Sequence, residues 1–99
     1  MLTIRKFKIN PDVMHSIVTA PIVKPLHVNV VSDAAFLWAV IDTNRMAEEW
    51  VVAKATNEFS LDNEYLKVSV DDYINSSCSL QDCETCHWFC RKLVQSTDV

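Results

Sequence analysis

Leu80-Gln81-Asp82-Cys83-Glu84-Thr85-Cys86-His87-Trp88-Phe89-Cys90-Arg91-Lys92-Leu93-Val94-Gln95 decides the fold class of this chain, because its period is helical where everything before it reads as strand. At 3.6 residues per turn, Leu80, Cys83, Cys86, His87, Cys90, Leu93 and Val94 fall on one side. Glu84, Trp88, Lys92 and Gln95 fall on the other. Ser79 followed three residues later by Asp82 supplies a helix start. The spacing predicts an amphipathic C-terminal helix over residues 79–95, with its sulfur-bearing face turned inward and Trp88 left on the charged side.

Outward from that stretch, residues 1–70 read as strands. Phe7 and Ile9 alternate with Lys6 and Lys8 before Asn10-Pro11-Asp12 turns the chain. Val13 to Thr19 is β-branched and apolar, and Pro21 and Pro25 lead into Leu26-His27-Val28-Asn29-Val30, a clean alternation. Phe36-Leu37-Trp38-Ala39-Val40-Ile41 is nearly continuous in apolarity, which predicts a central strand covered on both faces. Glu49 to Ala55 and Glu64 to Val70 complete the set. The expected fold class is α+β: one antiparallel sheet of five or six strands, curved or partly closed, carrying the C-terminal helix.

Composition bounds what such a domain does. Ninety-nine residues make a single domain, 1–99, and 49% apolar content supports a core. No apolar run approaches the length of a membrane span, and the start lacks the apolar segment of an export signal, so a cytoplasmic location is expected. With no glycine anywhere, phosphate-cradling loops and dinucleotide fingerprints are excluded. The net charge of -4 is uneven. Residues 1–24 hold Arg5, Lys6, Lys8 and Lys24 against Asp12, whereas residues 25–82 hold ten acids against Arg45, Lys54 and Lys67. That acidic middle argues against direct nucleic-acid binding, and suits a domain that competes for a basic groove.

Cys78, Cys83, Cys86 and Cys90 lie within 13 residues. Three readings stand: core thiols with no cofactor, a structural zinc site made by the four thiolates, or disulfides, which a reducing cytosol disfavours. His15, His27 and His87 are dispersed, and the acid pairs Glu48-Glu49 and Asp71-Asp72 sit beside loops, so no catalytic residue is assigned and a non-enzyme is expected. An exposed Trp88 beside Glu84, Arg91 and Lys92 makes a partner-binding patch, since Trp and Arg anchor interfaces.

The order Thr3-Ile4-Arg5-Lys6-Phe7, Pro25-Leu26-His27-Val28, Leu37-Trp38-Ala39-Val40-Ile41-Asp42 and Ala55-Thr56-Asn57-Glu58-Phe59 resembles a family of small phage and prophage proteins with no assigned activity. The likeness spans residues 1–70; Asn57 stands where members commonly carry Gly, and the cysteine-bearing tail lies outside it. It implies a phage origin and a bacterial host cytoplasm. The expected function is therefore a non-catalytic phage accessory protein that binds and inhibits a host protein complex, such as a CRISPR effector or RNA polymerase, with no membrane partner and a homodimer allowed. The alternative is a small zinc-binding module mediating protein or nucleic-acid contact.

Overall fold

Apolar side chains on alternate positions drive the chain into strands that bury one face each. In the computed structural model, which describes residues 1–56, 68–78 and 85–93, seven strands form: β1 (Leu2–Ile9), β2 (His15–Ala20), β3 (Ile22–Val31), β4 (Ala34–Asp42), β5 (Glu48–Thr56), β6 (Tyr73–Cys78) and β7 (Thr85–Lys92). A 3-10 turn, Val70–Asp72, leads into β6. The strands make two antiparallel sheets, one ordered β1-β4-β3 and the other β2-β5-β7-β6. Their inner faces share one core, and the molecule is 19 Å along its shortest axis, the depth of two packed sheets.

Local chemistry explains the path. Pro21 stands between β2 and β3, where the chain leaves one sheet for the other; it has no amide hydrogen to offer a ladder, and its carbonyl accepts from Asp42 N at 3.0 Å. Pro25 sits in β3, an edge strand, beside register shifts at Ile22/Lys24 and Pro25/His27. Without glycine, the two-residue turn from β3 to β4 sets Ser32 at φ 58°. On β4 the inward residues Ala35, Leu37, Ala39 and Ile41 are wholly buried, and the outward ones alternate with them.

The tail departs from expectation. Residues Thr85–Lys92 form a strand, not a helix, hydrogen-bonded to β5 on one side and β6 on the other. The protein is nearly all-β with two sheets, so the α+β class and the single sheet with a C-terminal helix are both corrected. The helical stripe of cysteines was accidental, because small apolar thiols satisfy a strand equally well. In the extended chain Cys86, Trp88 and Cys90 point one way and His87, Phe89 and Arg91 the other. Trp88 (2% exposed) and Phe89 (1%) are both buried, which only a strand covered on both faces allows for neighbours of opposite direction. The helix start at Ser79–Asp82 and most of the strand expected over 64–70 lie outside the described residues. Within the latter, Val68 and Ser69 are not in a strand, and Val70 opens the 3-10 turn.

One side chain clasps the sheets together where their edges meet. Asn75 on β6 accepts from Val28 N at 2.8 Å and donates to Val28 O at 3.0 Å, acting as a one-residue strand along the outer edge of β3. Removing it leaves a partly buried donor and acceptor unpaired, at about 1–3 kcal/mol for such groups. Asn75→Ala is expected to lower the unfolding free energy by about 2 kcal/mol in urea denaturation; an unchanged midpoint would show that packing alone holds this edge.

Candidate functional site

The outer face of the β1-β4-β3 sheet is built by register. β4 is its middle strand, with Phe36 opposite Lys8 and Asn29, Trp38 opposite Lys6 and His27, and Val40 opposite Ile4 and Lys24. Opposed residues of an antiparallel pair project from the same face, so these side chains form three rows: an aromatic and aliphatic centre, lysines from β1 on one flank, and polar residues from β3 on the other. Lys6, Lys8, Lys24, His27 and Asn29 are exposed, whereas Phe36, Trp38 and Val40 are half-buried. Leu2 (64% exposed) and Ile4 (60%) extend the apolar row.

The geometry is specific. Lys6 Nζ lies 4.8 Å from the centroid of Phe36 and 5.8 Å from that of Trp38, within reach of both ring faces. The rings of His27 and Trp38 are stacked, inclined by only 14° with centroids 6.1 Å apart. Of the residues that these three strands present on this face, Asp42 alone is acidic, and it stands at the sheet's end. Its carboxyl is held below the usual carboxylate range by the Asn44 backbone N–H and by the Met1 ammonium, 3.2 Å away. The face is therefore cationic and aromatic within a chain that is acidic as a whole.

The residues singled out from sequence are scattered by the strand. Trp88 is in the core, its indole N–H donating to Ser77 Oγ at 2.9 Å, so it offers no contact surface. Arg91 projects from the opposite face of β7, its Nε buried without a hydrogen-bond partner among the described residues. Lys92 pairs with Glu48. Glu84 lies outside the described residues. The partner patch expected on a helix face thus loses the helix that assembled it.

The zinc reading meets the same geometry. A helix would hold Cys86 and Cys90 one turn apart, about 6 Å. Along β7 they are separated by about 13 Å, too far to share an ion bound at about 2.3 Å from each sulfur. Cys78, opposite Thr85, projects to the other side of the sheet, and Cys83 lies outside the described residues. No group of three His, Cys, Asp or Glu residues comes together to hold a metal among the described residues. Cys90 instead lies at a cavity of about 360 Å³ between β3 and β6, lined also by Lys24, Leu26, Asp72, Tyr73 and Ile74. Burial, and then the charge of Asp72, push its thiol up to about 12, so it remains protonated and unreactive at neutral pH.

His27 apart, the histidines do not join this face: His15 lies on β2, and His87 bonds through Nδ1 to the Tyr73 hydroxyl at 3.0 Å on the outer side of the second sheet. No helix among the described residues is long and apolar enough to cross a membrane. Comparison of the chain with protein-family models, curated proteins and solved structures finds no match. Nothing there bears on the resemblance to phage proteins.

Sequence reading missed this face because it took Phe36 to Ile41 as covered on both sides. The signal was parity: Phe36 and Trp38 share one parity on β4 and Ala35, Leu37, Ala39 and Ile41 the other, while Lys6 and Lys8 share one parity on β1.

Reactivity follows burial. With a thiol-alkylating reagent at pH 8, Cys90 is expected to stay unlabelled while exposed Cys78 reacts, as read by peptide mass spectrometry, and to label once urea unfolds the chain. The same shift weakens folding as pH climbs from about 9, where an unfolded thiol ionises, toward 12. Equal labelling rates at the two cysteines in native protein would contradict this placement.

Proposed function

We propose that the protein is a non-catalytic binding module whose contact surface is the outer face of the β1-β4-β3 sheet and whose partner is anionic there. One observation carries the reading: β4 turns two aromatic rings outward, beside the lysines of β1. Its inward face is Ala35, Leu37, Ala39 and Ile41, all wholly buried, while the outward rings of Phe36 and Trp38 are only partly covered and lie under the ammonium of Lys6. Large rings left partly uncovered on a sheet face, with ammonium groups beside them, offer apolar area that a partner can bury.

Lys6, Lys8 and Lys24 supply the complementary charge that steers and orients a partner. The resemblance to phage proteins supports setting that partner among host assemblies that handle nucleic acid. The contact surface passes from the acidic middle and the tail to this basic face. A zinc-dependent module has no comparable support, since β7 separates the thiols it would need.

Retention on immobilised heparin tests the reading. Despite its net charge of -4, the protein is expected to bind at low ionic strength and elute with salt, and the Lys6→Gln/Lys8→Gln variant to elute earlier with an unchanged melting temperature. A wild-type protein that flows through at low salt would contradict an anionic partner.

A further inference from the structure

The chemistry of this face narrows the partner further, and the narrowing rests on the reading above. We propose that the β1-β4-β3 face binds single-stranded nucleic acid, with Trp38 and Phe36 stacking bases and Lys6, Lys8 and Lys24 meeting phosphates.

Three features favour a single strand over an anionic protein. First, Phe36 and Trp38 are two residues apart on one strand, about 6.8 Å, so each ring has room for its own base. Second, Lys6 Nζ sits over both rings at 4.8 and 5.8 Å, where a phosphate linking two stacked bases would pass. The ammonium moves from the ring faces to that phosphate as the bases arrive, exchanging a cation–π contact for an ion pair. Third, His27 stacks on Trp38 and holds the indole on its β3 side, and Asn29 stands opposite Phe36, so the β3 flank adds an imidazole and a hydrogen-bonding amide where base edges would lie. An anionic protein surface can also meet the lysines and pack on the rings, but an unpaired strand supplies a flat base for each ring at this spacing together with a phosphate between them. A duplex hides its base faces and cannot stack them on the rings. Flat sheets carrying aromatic rings in a basic setting are a general physical solution to binding unpaired bases.

The acidic residues do not oppose this. Among the described residues, Glu48 and Glu49 lie on β5 of the other sheet, Asp12 and Asp33 lie in turns, Asp42 stands at the end of this face, and Asp71 and Asp72 line a cavity with Lys24 at the β3 edge. The acids thus border the face, and Lys6 and Lys8 beside Phe36 and Trp38 hold the charge at its centre.

Fluorescence anisotropy of a labelled oligodeoxythymidylate of about ten nucleotides tests the assignment. Wild-type protein is expected to bind it, and its log affinity to fall with log salt at a slope near -2, about 0.7 for each of three lysines. Trp38→Ala is expected to weaken binding about tenfold, the loss of one stacked base, whereas Trp38→Phe retains most of it. Lys8→Gln is expected to cut the slope by about 0.7. Circular dichroism of each variant checks that the sheet persists, as the half-exposed positions of these residues imply. Heparin retention without oligonucleotide binding would overturn the single-strand assignment and leave an anionic protein as partner. Loss of both would overturn the binding face itself, and equal affinity for a duplex of the same length would overturn stacking as the mode.

Discussion

Strand β7 is the constraint on which the structure depends. Its ladder joins β5 and β6, and its consecutive residues Trp88 and Phe89 are buried on opposite faces. Trp88 enters the shared core with Val52, Cys90 and the inward residues of the other sheet; Phe89 packs with Ala53, Ala55 and Val68 on the far side. Tyr73 meets the Phe89 ring edge-on, with centroids 5.3 Å apart, and so extends the cover on that side. Between them the two rings commit the second sheet to four strands and tie the residues after 68 to those before 56.

With that sheet complete, the first is free to leave one face open. The β1-β4-β3 sheet is held from behind by the core, at the corner by Pro21, and along the β3 edge by the Asn75 clasp on Val28. Rigid support from three directions means that the rings of Phe36 and Trp38 are positioned by backbone register, with no loop involved. Sites built on strands in this way hold their geometry more closely than sites on loops, which suits recognition by stacking, where the plane of the ring matters. Binding energy is then not spent on ordering the surface.

How much of this was legible in the chain differs by element. Strands β1 to β5 follow from alternation and from turn residues such as Asn10-Pro11-Asp12, but of their pairings only β3-β4 joins neighbours in the chain; β1-β4 in one sheet and β2-β5 in the other pair strands distant in sequence, which short connections do not predict. The tail misled because Cys86 and Cys90, four apart, satisfy a helical stripe, yet Cys86, Trp88 and Cys90 satisfy alternation as well. Trp88 on the polar side of the expected helix was the inconsistency that pointed to the other period, supported by the run Thr85-Cys86-His87-Trp88-Phe89, whose residues favour strands over helices. The sheet face was less accessible still. Lys6, Trp38 and His27 are far apart in sequence and meet only through register, and a slip of one residue would send Trp38 into the core.

The claim beneath the rest is that residues 85–92 lie extended between β5 and β6. Nuclear Overhauser contacts between backbone protons test it most directly in solution. Cross-strand contacts linking Ala53 to Phe89 and Ser76 to His87 are expected, with slow exchange of the β7 amides. Contacts between residues three apart along 85–92, with no link to residues 50–56, would show a helix there and contradict the two-sheet architecture.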